Sequence, residues 1–340
     1  MPDFIFPTNA ELDEIARDLL PRLQAERPIF DIMPIVNKEN YLVMWEQADS
    51  FTGLQQLRGL NGQPPKVSRV GVKRYQMEPG VYGEHIPLDE IELTVRRQMG
   101  TWATAIDVND LVMEAQQQLL VRRLDRIESI GWTLLATGTF AVAGPSGAGA
   151  ILHQDSYTVQ SFSATVPWST FGTSTPLADF RAAQLLARGH SVRFDQSSKA
   201  YLNRVTLNSL LSNTNPADVG GRRAAGLSTI NGLEQMSQLL LQDGLPTLVP
   251  YDEGYLNNAG TFVPHLANGV VIVVGRRTDG APIAQYQMTR NVNNAGMAPG
   301  AYMKVIDRGE IEVPRTIEVH DGHNGGPAML FPSAVVRMNV

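Results

Sequence analysis

Between Tyr41 and Thr137 the sequence sets two strand-like runs around a long polar loop, then follows them with one helix about 40 Å long at 1.5 Å rise per residue. No other feature constrains the fold as much. A hairpin whose tip is too polar to fold back into its own core serves a compact enzyme poorly. It suits a subunit that clasps its neighbours.

The two strands are predicted at 41–47 and 71–77, where Val72, Arg74 and Gln76 alternate with Lys73, Tyr75 and Met77. Between them, 51–70 carries Gly53, Gly59, Gly62 and the pair Pro64 and Pro65, so it is loop rather than helix or sheet. From Phe51 to Met77 the charged residues are Arg58, Lys66, Arg69, Lys73 and Arg74, with no acid among them. Glu84, Asp89, Glu90 and Glu92 follow soon after. Opposite charge on two surfaces steers docking and fixes register. The five cations are therefore read as an inter-subunit arm, and the four acids as the surface on a neighbour that receives it. The plainer alternative is a solvated loop whose charges only keep it soluble.

The helix is predicted over 109–137, capped by Asp107 or Asn109, with Asp110 and Glu114 near its start where the helix dipole favours acids. Met113, Leu120, Leu124, Ile127, Gly131 and Leu134 form one apolar stripe, and Gly138 supplies the stop. Arg122, Arg123, Asp125 and Glu128 fall off that stripe, which predicts a polar outer face. Ahead of the hairpin, Thr8 and Glu11 make a capping box, and Leu12, Ile15, Leu19 and Leu23 recur at helical spacing. A helix from about Asn9 is expected to give way near Pro28 to an extended arm over 28–40. Such a helix needs an apolar partner elsewhere in the fold or on another subunit.

After a Gly/Ala/Ser hinge at 143–150 and a strand at 156–166, a second unit opens at Thr175 with Pro176 in a first-turn position. It alternates helices to about 189, from 205 and over 233–241 with strands at 199–203, 247–251 and 270–274, around a Gly/Arg loop at 213–229. This is the pattern of a mixed α/β layer. Strands at 302–306, 317–320 and 334–338 then return to the sheet under the long helix.

Composition limits the chemistry. The 340 residues carry a formal charge of −6, against a dedicated nucleic-acid binder, and no cysteine, which removes disulfides, thiolate metal sites and cysteine nucleophiles. The acidic start, broken by Pro2 and Pro7, lacks the order of a secretory signal, and the best apolar run, 269–275, is far short of a membrane span. His320 and His323 in HDGH find no third ligand nearby beyond Asp321, so the stretch reads as a polar turn and no metal or cofactor is expected. GPSGAG at 144–149 lacks the Lys-Ser/Thr of a phosphate loop. No nucleophile elbow or triad stands out, and the chain is not expected to be an enzyme.

The order of these elements resembles the major capsid proteins of tailed bacteriophages, with the Hong Kong 97-like fold, and most closely the lambda capsid-protein-E family. The resemblance lies in RVGVKRYQMEPGVYGEHIPL closing the hairpin, LVMEAQQQLLVRRLDRIESIGWTLLATG in the helix, LPTLVPYDEGY in the middle unit and GPAMLFPSAVVRMNV at the end. Each stretch is degenerate alone, and their order carries the specificity. The resemblance implies an α+β capsid fold with an N-terminal arm at 1–40 and an extended loop hairpin at 41–88. It further implies a peripheral domain at 89–175 and 298–340, whose spine helix is 109–137, and an axial α/β domain at 176–297. It implies hexamers and pentamers in an icosahedral shell around double-stranded DNA, a virion location, and assembly in the bacterial cytoplasm without a membrane. No long helical leader precedes the arm, so a separate scaffold is expected, together with a portal and a decoration protein as further partners. Lysine–asparagine crosslinks occur in some relatives, but no motif carries one onto Lys66 or Lys73. Off the apolar stripe, Arg122, Arg123 and Arg126 are candidates for facing packaged DNA. Two other readings are an encapsulin-like nanocompartment shell and an α/β enzyme of unrecognised family.

Overall fold

The computed structural model describes residues 9–48, 54–67, 71–95, 107–144, 151–219, 232–257, 259–277, 280–308 and 314–340, with the side chains of 9–16 and 48 excepted. The capping box at Thr8, the cation Arg69, most of the expected hinge and most of the Gly/Arg loop lie outside these residues. The chain forms two compact units. One comprises 1–44, 76–128 and 286–328, and the other 45–75, 129–285 and 329–340.

The first unit is built on a sheet whose longest strand, Ile317–Met329, is flanked by Ala301–Asp307 and Gly80–Leu88, both antiparallel to it. Ala284–Met288 extends the sheet, and Ile35–Asn37 adds to it in parallel. Leu88, Ile317 and Val319 pack with Leu111, Val112, Ala115 and Leu119 of the long helix into one buried cluster. The N-terminal helix Asn9–Ala25 lies against Ala301–Asp307 of the same unit. The expected extended arm differs in part. After Pro28 the chain makes one helical turn, Ile29–Ile32, whose Ile29, Phe30 and Ile32 are buried, before it enters the sheet as a strand. Burying these apolar side chains outweighs the extended preference that Pro28 and Pro34 suggest.

Two further segments differ from expectation. HDGH, expected as a polar turn, is strand interior, because partner strands on both sides pair with it. Its glycine permits close approach: a Cβ on Gly322 would lie 2.6 Å from the Tyr82 carbonyl oxygen and 2.7 Å from the Tyr302 ring. The last strand, Val335–Asn339, does not return to this sheet.

In the second unit, strands run in the order Thr247–Pro250, Lys199–Leu202, Val270–Val274, Val335–Asn339 and Gln160–Ser163. Val270–Val274 has an almost wholly buried apolar side-chain row, as a strand covered on both faces requires. Helices Pro176–Leu185, Arg204–Leu211 and Leu233–Gln242 each bury an apolar face, and Asn203 caps the second by accepting from the Thr206 N–H.

The long helix, Val108–Thr137, has 30 residues and is about 45 Å long. Met113, expected on the buried stripe, is 39 % exposed, while Leu111, Val112 and Leu119 take the core positions. From Ile127 onward the helix is buried almost all round, including Ile130, Trp132 and Leu135. The expected polar face is therefore absent there. Glu128 is itself buried, its carboxylate accepting from Arg27 Nη1 at 3.1 Å, and Arg27 Nη2 also meets Asp125 at 2.7 Å.

Gly138 ends the helix at φ 75°, its N–H donating to the Leu134 carbonyl at 2.8 Å and its own carbonyl accepting from the Tyr157 N–H at 2.6 Å. A Cβ there would sit 2.5 Å from the Tyr157 carbonyl oxygen. Gly138→Ala is expected to lower stability by about 2–3 kcal/mol, combining left-handed backbone strain with that clash. Denaturant unfolding of the unassembled subunit measures it, and a loss below about 0.5 kcal/mol contradicts the account.

Candidate inter-subunit surface

Strands Val43–Ala48 and Val72–Met77 pair as a two-stranded ribbon. Only its root is buried. Within the first unit, the Gln287 side chain holds Met44 at both ends of its peptide group. Gln287 Oε1 accepts from the Met44 N–H at 3.2 Å and Nε2 donates to the Met44 carbonyl at 3.0 Å. Within the second, Trp45 stacks on Tyr75 with ring centres 5.6 Å apart and meets Tyr157 at 5.7 Å. Beyond these anchors every described residue from 54 to 67 is exposed, with a turn at Leu60 and Asn61.

The expected cations divide. Lys66 and Lys73 are exposed on the ribbon and loop. Arg58 Nη1 donates to the Gly62 carbonyl at 3.2 Å, bracing the turn. Arg74 Nε pairs with Glu46 Oε1 at 2.8 Å, an acid on the first strand that lies outside the acid-free stretch. That pair is exposed, so its contribution to stability is small.

The expected acids divide too. Glu84 is bound in two places by Arg122, with Nε to Oε2 at 2.5 Å and Nη2 to Oε1 at 3.0 Å, and this hydrogen bonding holds its carboxyl below the usual range. Glu84 is thus committed within its own chain. Asp89 Oδ1 accepts from the Glu92 N–H at 2.8 Å, starting the short helix Glu90–Val95. Asp89 and Glu90 are exposed and Glu92 is half-buried.

The arginine row on the long helix is corrected by the same geometry. Glu84 and Asp321 are register neighbours on adjacent strands. Arg122 takes the first, while Arg123 Nη1 reaches Asp321 Oδ1 at 2.6 Å with both side chains more than nine-tenths buried. Arg123 is therefore buried and paired within its own unit. The pair clips the helix to the sheet, and of the three arginines Arg126 alone is exposed without an ion pair among the described residues. Burial raises the Asp321 carboxyl to about 6, with Arg123 opposing and Glu84 adding to the rise.

HDGH shows no shared ion site. His320 Nε2 meets Glu318 at 2.8 Å, while His323 is buried, stacked on Tyr82 and 3.0 Å from the Tyr286 hydroxyl. Among the described residues no group of three His, Cys, Asp or Glu could hold a metal, and no helix is long and apolar enough to cross a membrane.

Among solved structures, a prophage protein of E. coli CFT073 assigned as a capsid protein superposes with a TM-score of 0.58 at 14 % identity, covering 96 % of this chain and 98 % of its own. A phage-related protein from Bordetella bronchiseptica RB50 gives 0.54 at 11 % identity, over 96 % and 95 %. The capsid of a native GTA particle gives 0.53 at 7 % identity, over 91 % and 88 %. The chain has the α+β Hong Kong 97-like capsid fold. No protein-family model and no curated sequence relative matches it.

Proposed function

We propose that this chain is the major capsid protein of a tailed phage, forming hexamers and pentamers of an icosahedral shell around double-stranded DNA. The supporting observation is the capsid fold, spanning nearly the full length of both chains, combined with a ribbon whose described loop residues, 54–67, are all exposed. Shell lattices require one surface patch to meet a different one on the next copy, and an arm adds such area without enlarging the core. On this reading 1–40 is the arm, 41–88 the clasp, 89–175 with 298–340 the peripheral part and 176–297 the axial part at capsomer centres. Scaffold, portal and decoration proteins would act on it in the bacterial cytoplasm. Arg126 is the helix cation left for contact with packaged phosphate.

Electron microscopy of the purified, expressed protein tests the reading, with icosahedral shells expected. A stable small oligomer overturns it in favour of an enzyme. Shells that enclose a protein cargo and exclude DNA overturn the DNA part in favour of a nanocompartment. Reversal of Arg58, Lys66 and Lys73 to Glu is expected to slow assembly at low salt about tenfold or more while the subunit circular dichroism is unchanged. Unaltered assembly kinetics contradict the docking role of the cations.

A further inference from the structure

Charge does not account for three side chains on the loop. Leu54, Leu57 and Leu60 are 98, 99 and 101 % exposed, spaced three apart on the outermost described segment of the ribbon. Single exposed leucines are ordinary. Three in one short segment, rimmed by Gln55, Gln56, Arg58, Asn61 and Gln63, have the apolar centre and polar rim of an interface.

A matching surface exists on every copy. In the helix Glu90–Val95, Leu93 packs on the core, while Ile91 and Val95 are 69 % and 65 % exposed. These two are four residues apart and share one helix face. Asp89 and Glu90 stand beside them, exposed. The tip is thus apolar with a basic border and the helix face apolar with an acidic one.

We propose that the leucine tip of one copy seats on the Ile91 and Val95 face of a neighbouring copy, with Arg58 and Lys66 directed at Asp89 and Glu90. The proposal rests on the shell-subunit reading and names the partner surface of its clasp. It also divides the labour: exposed ion pairs contribute little and are screened by salt, so they set the encounter rate, whereas buried leucines hold the contact.

The absence of cysteine gives thiol crosslinking a silent background. In shells of the L57C/I91C variant a short bifunctional maleimide is expected to join subunits into ladders on a denaturing gel. Neither single variant is expected to do so, nor is L57C/V292C, whose second site is also exposed. Changing Leu54, Leu57 and Leu60 to Ser is expected to raise the subunit concentration needed for assembly about tenfold or more, at low and high salt alike. Shells of the serine variant at the wild-type concentration, L57C/I91C shells without ladders, or ladders from L57C alone overturn the proposal and leave the assembly reading standing. A wild-type chain that forms no shell overturns both.

Discussion

Arg123→Ala is expected to destabilise the unassembled subunit by about 3–5 kcal/mol at pH 8, because it leaves the Asp321 carboxylate buried without its counter-charge. The pH dependence makes the cause visible. Burial raises the folded Asp321 to about 6, above its value of 3.8 in a solvated chain. Folding therefore takes up a proton between about pH 4 and 6, and the stability contributed by the neutral acid is full below that window and lost as pH rises through about 6. Removing Arg123 takes away the one influence opposing that rise, so the folded value moves higher still. The variant's deficit should shrink towards pH 4.5, where Asp321 is neutral, and R123A/D321N should recover much of it at pH 8. Urea unfolding at the two pH values measures this. A deficit that is equal at both indicates lost packing by the arginine stem instead of an orphaned charge.

Trp132→Ala is expected to cost a further large amount, about 3–5 kcal/mol, in the second unit. Trp132 is fully buried near the end of the long helix, edge-on to Tyr201 at 5.2 Å and tilted against Tyr251 at 5.0 Å. Tyr201 lies on a central sheet strand, so the indole joins helix to sheet through ring contacts that no small side chain reproduces. Thermal and denaturant unfolding with tyrosine fluorescence as probe reads the loss. Trp132→Phe is expected to retain part of it, and a loss below about 1.5 kcal/mol for the alanine variant contradicts the placement.

Both residues were poorly legible in the sequence, for different reasons. Trp132 stands between stripe positions Gly131 and Leu134, and a periodicity argument built for a helix with one wet face does not expect burial all round. Arg123 and Glu128 look like a solvated face because their partners are remote. Asp321 is 198 residues away and Arg27 is 101 residues away from the groups they pair with. The same distance hid the pairing of Glu84 with Arg122, 38 residues on.

The leucine tip was missed although its signal is local. Leu54, Leu57 and Leu60 sit among glutamines and glycines, whose polar character dominates the composition of the loop. Exposure settles what composition leaves open, since the same leucines folded inward would have been an ordinary small core.

Local sequence suffices wherever backbone chemistry acts over a few residues. The ribbon strands, the long helix, its stop at Gly138 and the absence of acids along the arm all follow from short-range rules of turn, cap and period. The tertiary structure alone decided which charges remain free. It made HDGH a strand by giving it two partners, and it sent Val335–Asn339 to the other sheet through pairing with Val270–Val274. Hydrogen-bond partners and desolvated ion pairs are properties of distant segments brought together, and local sequence carries no record of that meeting.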